Sequence, residues 1–408
     1  MDLSAFTDGS PGKLVPVNGT DPRNGEWTHS AFVPNPLSLE SPNLTGSTYR
    51  VVANARAALA ALDSTARRLP NRKLFRRPSL QAEAQSTSAL EGTYAPLSEV
   101  LTADEERPPN LDVREVLNYV IMADHAFSWI EEGRPLTVGM LSQLQGILVR
   151  RTRNQNSSTG SIRNHQVVVG QRSTISSDSM PVHAARFVPS PPGLDLHASL
   201  QELLDWMSNK KVNDDIDPVV AAALAHYQFE TLHPFHDGNG RIGRLLIVIH
   251  LLKQEVISEP TLTVSPWFEQ RRSEYYDRLL SVSTRADYDS YVKFFAEGLE
   301  ASAKQTHARM LALVDIQESL KDRVRESHLR ADTAQTLVDF AVANVSFTVR
   351  AVERNLGVSY GRANGLVNQL VQLDILAPLR NEPGTSRRFY APDVYRIIVG
   401  SGSEAERS

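Results

Sequence analysis

Thr231-Leu232-His233-Pro234-Phe235-His236-Asp237-Gly238-Asn239-Gly240-Arg241-Ile242-Gly243-Arg244 brings an imidazole, a carboxylate, a glycine-rich turn and two guanidiniums into one short segment. Upstream, Asp217-Pro218 has the cap-then-proline form of a helix start, and Val219, Val220, Ala221, Leu224, Tyr227 and Phe229 make that helix largely buried. His233 precedes a proline, which disfavours helical geometry and turns the chain out. Downstream, Arg241 is expected to begin a second helix, with Leu245, Leu246, Ile247, Val248, Ile249, Leu251 and Leu252 apolar nearly all round, as in the centre of a domain. The polar residues therefore sit on a loop between two buried helices.

Each residue type in that loop suits phosphate chemistry. Gly238, Asn239 and Gly240 tolerate left-handed backbone, so successive N–H groups can converge on an anion at a helix N-terminus. Arg241 and Arg244 lie within the first turn and can hold phosphate oxygens from one face. Two cations where the helix dipole opposes them imply an anionic partner. Asp237 suits Mg²⁺, which takes one or two carboxylates plus phosphate oxygens. His233 titrates near neutrality when unperturbed, which makes it the natural general base. The His236-Asp237 pair also occurs in metal phosphohydrolases, but those need further histidines and a distant Asp, and leave Gly-Asn-Gly-Arg without a purpose.

The segment resembles the signature of the Fic (filamentation induced by cAMP) family, His-Pro-Phe-x-Asp/Glu-Gly-Asn-Gly-Arg-x-x-Arg, without departure. That resemblance implies a helical core, ATP as substrate and transfer of AMP to a Ser, Thr or Tyr hydroxyl of a target protein. On it, His233 is the catalytic base, Asp237 binds Mg²⁺, Gly238, Asn239 and Gly240 cradle phosphates, and Arg241 and Arg244 neutralise the β- and γ-phosphates. The family also places an aromatic pair against the adenine, here Tyr275 and Tyr276. Phosphorylation as in the Doc branch is disfavoured, because Gly240 stands in place of that branch's lysine.

A second stretch, Ser79-Leu80-Gln81-Ala82-Glu83-Ala84-Gln85-Ser86-Thr87-Ser88-Ala89-Leu90-Glu91-Gly92, reads as a helix capped by Ser79 and ended by Gly92. By itself Glu91 is an acid at a helix end, where the dipole disfavours it. Beside the signature, Thr87-x-x-x-Glu91-Gly92 is similar to the family's inhibitory motif, Ser/Thr-x-x-x-Glu-Gly/Asn. The resemblance implies that Glu91 pairs with Arg244 and blocks the γ-phosphate site.

The remainder of the 408 residues divides into an irregular arm over 1–45, a helical segment with the inhibitory helix over 46–110, the core over 111–300, a charged connector helix over 301–330 and a small domain over 331–402. Apolar stripes predict helices at 47–69, 111–132, 137–150 and 196–207, the last with Asp195 as a cap. The run Gly160 to Gly170 is β-branched, and with Phe187-Val188-Pro189 it predicts a hairpin. In the Fic family such a hairpin is a flap that holds the target's backbone by strand addition. The insert 171–184 exceeds a tight turn, and His165 and His183 are read as solvated loop histidines.

After residue 331 the pattern of helix, helix, turn, helix and hairpin (Glu382-Pro383-Gly384-Thr385, Phe389-Tyr390) resembles a winged helix-turn-helix, with Ser359, Tyr360, Arg362, Asn364 and Asn368 as its exposed reading face. Arg350, Arg354, Arg362, Arg380, Arg387, Arg388 and Arg396 nearly balance Asp332, Asp339, Glu353, Asp374, Glu382 and Asp393, so protein contact or homodimerisation competes with DNA binding. A hydrophobic content of 41% and charged content of 22% are those of an ordinary globular protein, and a net charge of −4 argues against nucleic-acid binding by bulk charge. The lack of cysteine excludes disulfides and thiolate sites. No run approaches membrane-spanning length, and the N-terminal residues carry no basic-then-apolar leader, so the expectation is a cytoplasmic protein.

The expected fold is mainly α: a helical Fic core with a β-hairpin flap, plus a C-terminal winged helix-turn-helix domain. The expected function is an ATP- and Mg²⁺-dependent protein adenylyltransferase, autoinhibited by Glu91, with a target protein or the chain itself as acceptor. The alternatives are removal of AMP from a modified protein and a nucleotide-sensing DNA-binding regulator.

Overall fold

The computed structural model describes all residues except 22–24, 70–74, 104–106, 173–179, 328, 330–331, 380–386 and 401–408. The chain opens with a 3-10 turn (Leu3–Ala5), β1 (Gly12–Asp21) and β2 (Gly25–Pro34), then α1 (Gly46–Arg68), α2 (Arg76–Leu90), α3 (Leu97–Thr102), α4 (Leu111–Glu131) and α5 (Val138–Leu148). A short hairpin follows, of β3 (Val169–Gln171), α6 (Pro181–Ala184) and β4 (Ala185–Phe187). Next come α7 (Leu194–Met207), α8 (Lys210–Asp215), α9 (Pro218–Leu232), α10 (Asn239–Lys253), α11 (Ser265–Gln270), α12 (Arg272–Arg285) and α13 (Tyr288–Glu326). The chain continues through α14 (Asp332–Ala343), β5 (Ser346–Thr348), α15 (Val349–Leu356), α16 (Tyr360–Gln372), β6 (Ala377–Pro378), β7 (Arg388–Tyr390) and α17 (Pro392–Val399).

The mainly helical architecture centres on α9 and α10, which pack on each other with nearly every side chain buried. Asp217 caps α9 as its sequence predicts, accepting from the Val219 N–H at 2.8 Å, with Pro218 at the first helical position. Helices α2, α4, α5 and α7 pack around this pair, and α13 runs along both α1 and α9. No helix among the described residues is long and apolar enough to cross a membrane.

Five expectations are corrected. Residues 1–45 are no loose arm: β1 and β2 pair antiparallel from Gly12↔Pro34 to Asp21↔Gly25. Ala31 and Phe32 are fully buried, the Phe32 N–H donates to Val188 O at 2.9 Å, and Gln228 donates to Asn35 O. Pro16 argues against a strand in sequence, yet a two-stranded ribbon consists of edges, where proline is tolerated. Helix α2 begins at Arg76, without a side-chain cap, and Ser79 lies inside it. Buried Phe75 and Arg76, the latter bonded to Glu131 and lying over the Phe127 ring, hold that extra turn in place.

Asp195 sits in the first turn of α7 behind Gly193 and is not its cap. The connector helix starts at Tyr288, well before 301, because Tyr291, Val292, Phe294, Phe295 and Leu299 bury its N-terminal half in the core. Of the expected 160–170 strand only Val169 and Gly170 fall in β3, which pairs Val169 with Phe187 and, one residue beyond the run, Gln171 with Ala185. The insert expected over 171–184 ends in the turn of α6, and its residues 173–179 lie outside the described residues.

The C-terminal part holds four helices among the described residues, α14 to α17, and an antiparallel sheet of order β5-β7-β6, with Leu337, Val338, Val352, Leu366, Leu370 and Phe389 in its core. The expected turn Glu382 to Thr385 lies outside the described residues.

Candidate active site

His233 ends α9 in the left-handed conformation, φ 50 and ψ 60, with its N–H donated to Phe229 O at 3.0 Å. A non-glycine residue there stores backbone strain on the order of 1 kcal/mol or more. Its Nδ1 lies 3.3 Å from Glu230 O, a geometry in which Nδ1–H donates to the carbonyl and Nε2 carries the lone pair. Burial, followed by the charge of Arg163, pulls the imidazole down to about 4, against opposing pulls from Glu91 and Asp237. His233 is thus a neutral base at pH 7.

The loop is held from within. Asn239 accepts the Phe235 N–H and donates back to Phe235 O, each at 2.8 Å. Its side chain shapes the turn, and its backbone N–H stays at the start of α10. Gly238 caps α10 with φ 87, and a Cβ there would stand 2.7 Å from Leu148 Cδ2. The first helical bond of α10 runs from the Ile242 N–H to Gly238 O. The N–H groups of residues 239–241 therefore precede the helical ladder and face the N-terminal approach. Helix α10 begins at Asn239, two residues before the expected Arg241. Gly238→Ala combines left-handed strain with this clash and is expected to destabilise the chain by about 1–3 kcal/mol, read from urea midpoints.

The two arginines have separate partners. Arg241 is 1% exposed and donates to Glu115 of α4 and, at 2.7 Å, to Asp237 Oδ2. Glu115 also accepts from the Thr93 hydroxyl at 2.8 Å. Arg241, expected to neutralise phosphate, is held between two carboxylates at the start of α10. Arg244, also 1% exposed, donates Nε–H to Thr87 Oγ1 at 2.7 Å, and Nη2 to Thr87 O at 3.1 Å and Glu91 Oε1 at 2.6 Å. Burial works against both charges of this pair, but mutual attraction prevails: Glu91 lies below its ordinary range and Arg244 above its own. A Cβ on Gly240 would stand 2.0 Å from Glu91 Oε1, so only glycine leaves room for that carboxylate.

Beyond Glu91 lies a cavity of about 280 Å³. Leu90, Glu91, Glu230, Arg272, Tyr276 and the hairpin residues Val169, Gly170, Arg186 and Phe187 line it. Tyr276 is brought to this wall and its hydroxyl donates to Leu90 O at 3.3 Å. Tyr275 is not: it is 1% exposed and its hydroxyl pairs with His226 Nε2 at 2.6 Å, inside the core. Burial pushes the Glu230 carboxyl up to about 8 in the same wall.

Asp237 Oδ2 takes the bonds of Arg241 and Asn154, whereas Oδ1 has no hydrogen-bond partner among the described residues. One partly exposed carboxylate beside the N-terminus of α10 fits Mg²⁺, which draws its other ligands from substrate and water. Among the described residues no group of three or more His, Asp or Glu could hold a metal unaided.

Sequence reading missed Glu115 and Arg163. Glu115 is an acid on the buried side of α4, between Val113 and Val116, and that placement was its signal. Arg163 carried none, being one of several polar residues in its run, beside Ser161, Asn164, His165 and Gln166. His165, read as solvated, has its Nε2 2.9 Å from His236 Nδ1, and His183 packs its ring 5.2 Å from that of His29.

The helical core thus sets a neutral histidine at the end of α9 beside the open N-terminus of α10. Residues 49–128 match the Fic/DOC family N-terminal region and residues 135–251 match the Fic/DOC family. It is similar to Protein adenylyltransferase Fic of Drosophila willistoni, 36% identical over 119 residues, 29% of this chain and 22% of that protein. Protein adenylyltransferase fic-1 of Caenorhabditis elegans is 32% identical over 124 residues, 30% of this chain and 23% of that protein. The matched part of this chain thus spans less than a quarter of the length of these relatives. The crystal structure of a Fic family protein from Desulfovibrio desulfuricans G20 aligns over 86% of this chain and 98% of its own, with a TM-score of 0.53 at 19% identity, and so shares the fold.

Proposed function

We propose that the chain is a protein adenylyltransferase that uses ATP and is held inactive by Glu91. The observation that carries the reading is the contact of Glu91 with Arg244, a buried guanidinium at a glycine-lined helix N-terminus filled by the chain's own carboxylate. ATP would lay its phosphates along the N–H groups of residues 239–241 and its adenine in the cavity bounded by Tyr276 and the hairpin. A Ser, Thr or Tyr hydroxyl of the target would give its proton to His233 Nε2. Its oxygen would attack the α-phosphorus as the bond to the leaving pyrophosphate breaks. Asp237 would hold Mg²⁺, which offsets charge on the phosphate oxygens.

Helices α14, α15 and α16 with a small antiparallel sheet support a C-terminal winged helix. The exposed start of α16, where Arg350 lies over Tyr360, would serve it as a protein-contact face.

The test is the intact mass of the Glu91→Gly chain and of proteins incubated with it, ATP and Mg²⁺. A gain of one AMP is expected. Tight ATP binding with no covalent product on any protein, together with salt-dependent duplex binding, would make the chain a nucleotide sensor instead. In the same assay, Asp237→Ala is expected to lower transfer about 100-fold or more, a loss of roughly 2.7 kcal/mol in barrier stabilisation, and to flatten the Mg²⁺ titration. Undiminished Mg²⁺ stimulation would remove Asp237 from that role.

A further inference from the structure

Arg163 alone among residues 161–170 is buried, at 1% exposure, and it turns away from the hairpin toward the end of α9. Its Nε–H donates to His233 O at 2.8 Å, and its own backbone N–H donates to Pro234 O at 3.0 Å. Nη2 reaches Leu232 O at 3.3 Å and also Ser190 O, while Nη1 reaches His165 O at 3.2 Å. One residue thus ties three successive carbonyls, 232, 233 and 234, at the helix end where carbonyls lack ladder partners and a cation is favoured. No carboxylate pairs with it among the described residues. A buried cation bonded only to neutral oxygens is a costly arrangement, and a fold that needed only a loop brace would use an amide.

We propose that Arg163 is the positioning residue of the base: it fixes the left-handed turn that aims the His233 imidazole into the site. It acts on the ring electrostatically as well. The groups that face His233 are Arg163, Glu91 at the end of α2, Asp237 in the loop and the Glu230 carbonyl. Burial and Arg163 oppose protonation, whereas the two carboxylates and the Glu230 carbonyl favour it. Removing the guanidinium charge therefore moves the imidazole upward from about 4, and burial, the larger influence, keeps it below the ordinary value.

The experiment titrates His233 by NMR in the full-length chain labelled at the histidine ring carbons, with His233→Gln assigning the signal. In Arg163→Gln the midpoint is expected to rise by about one unit. In Arg163→Lys, which keeps the charge but not the fork, the midpoint is expected to stay near that of the parent chain. The single-turnover rate of that variant, in a Glu91→Gly background, is expected to fall about 10- to 100-fold with ATP affinity unchanged.

The rate arm rests on the adenylyltransferase reading and the titration does not. A shifted midpoint without transfer in any variant would sink that reading and leave Arg163 in its role. Folded variants with the parent midpoint and rate would overturn the role of Arg163. Failure of both variants to fold would do so as well, reducing the residue to a strut.

Discussion

His233→Ala, placed in a Glu91→Gly background, is expected to lower the single-turnover rate of AMP transfer by about 10²–10⁴-fold, the usual contribution of a positioned general base. ATP affinity, measured by calorimetry, should stay within a few-fold of the parent, because the N–H groups of residues 239–241 and Arg244 are untouched. The pH dependence carries the sharper signature. An ordinary histidine loses its base form near pH 6.5. Burial and Arg163 hold His233 neutral down to about 4, so kcat/KM should stay flat through pH 6 and 5 and fall only on approaching 4. An acid limb near 6.5 in the parent, or a limb that survives in His233→Ala, would assign the proton transfer to another group.

What sequence could and could not say about this site divides along physical lines. His233, Gly238 and Arg244 were legible because each role is local: a residue before proline, a glycine at positive φ, a cation one turn into a helix. The Glu91 to Arg244 contact joins residues far apart in the chain, and only the family resemblance pointed to it. Nothing local in the sequence announces that Arg241 is held by Glu115, since the partner comes from α4 and the pairing is settled by how α4 packs on α10. Tyr275 and Tyr276 are adjacent, so sequence treats them alike. On a helix they point about 100° apart, which sends one into the core and the other to the cavity. The fold was read in the same way. The buried pair α9 and α10 followed from apolar runs, whereas β1 and β2 follow from a docking surface that Val188, Ser190 and Gln228 supply.

Glu91→Gly is expected to raise AMP transfer, onto the chain itself and onto proteins in a lysate, by about 10- to 100-fold. The carboxylate lies 2.6 Å from Arg244 Nη2 and would be only 2.0 Å from a Cβ on Gly240, so it fills the space a terminal phosphate would take against both. The two anions cannot share it. Exchanging one charge-assisted bond for another leaves the productive pose weaker by roughly 1.5–3 kcal/mol, which sets that range.

Tyr276 on Leu90 O and Gly92 at φ 92 fix the helix end that carries Glu91, so the carboxylate is supplied by a rigid element. Removing it strands a buried guanidinium that keeps only its two bonds to Thr87. The nucleotide-free variant should therefore melt lower than the parent, and saturating ATP with Mg²⁺ should restore the loss by binding the folded state alone. Glu91→Gly, Arg244→Ala should forfeit most of the gain in transfer, because on the proposed mechanism the freed cation would capture the γ-phosphate. Equal incorporation of labelled ATP by parent and Glu91→Gly chains would mean that Glu91 only steadies Arg244, and the melting loss without any gain in transfer would identify that outcome.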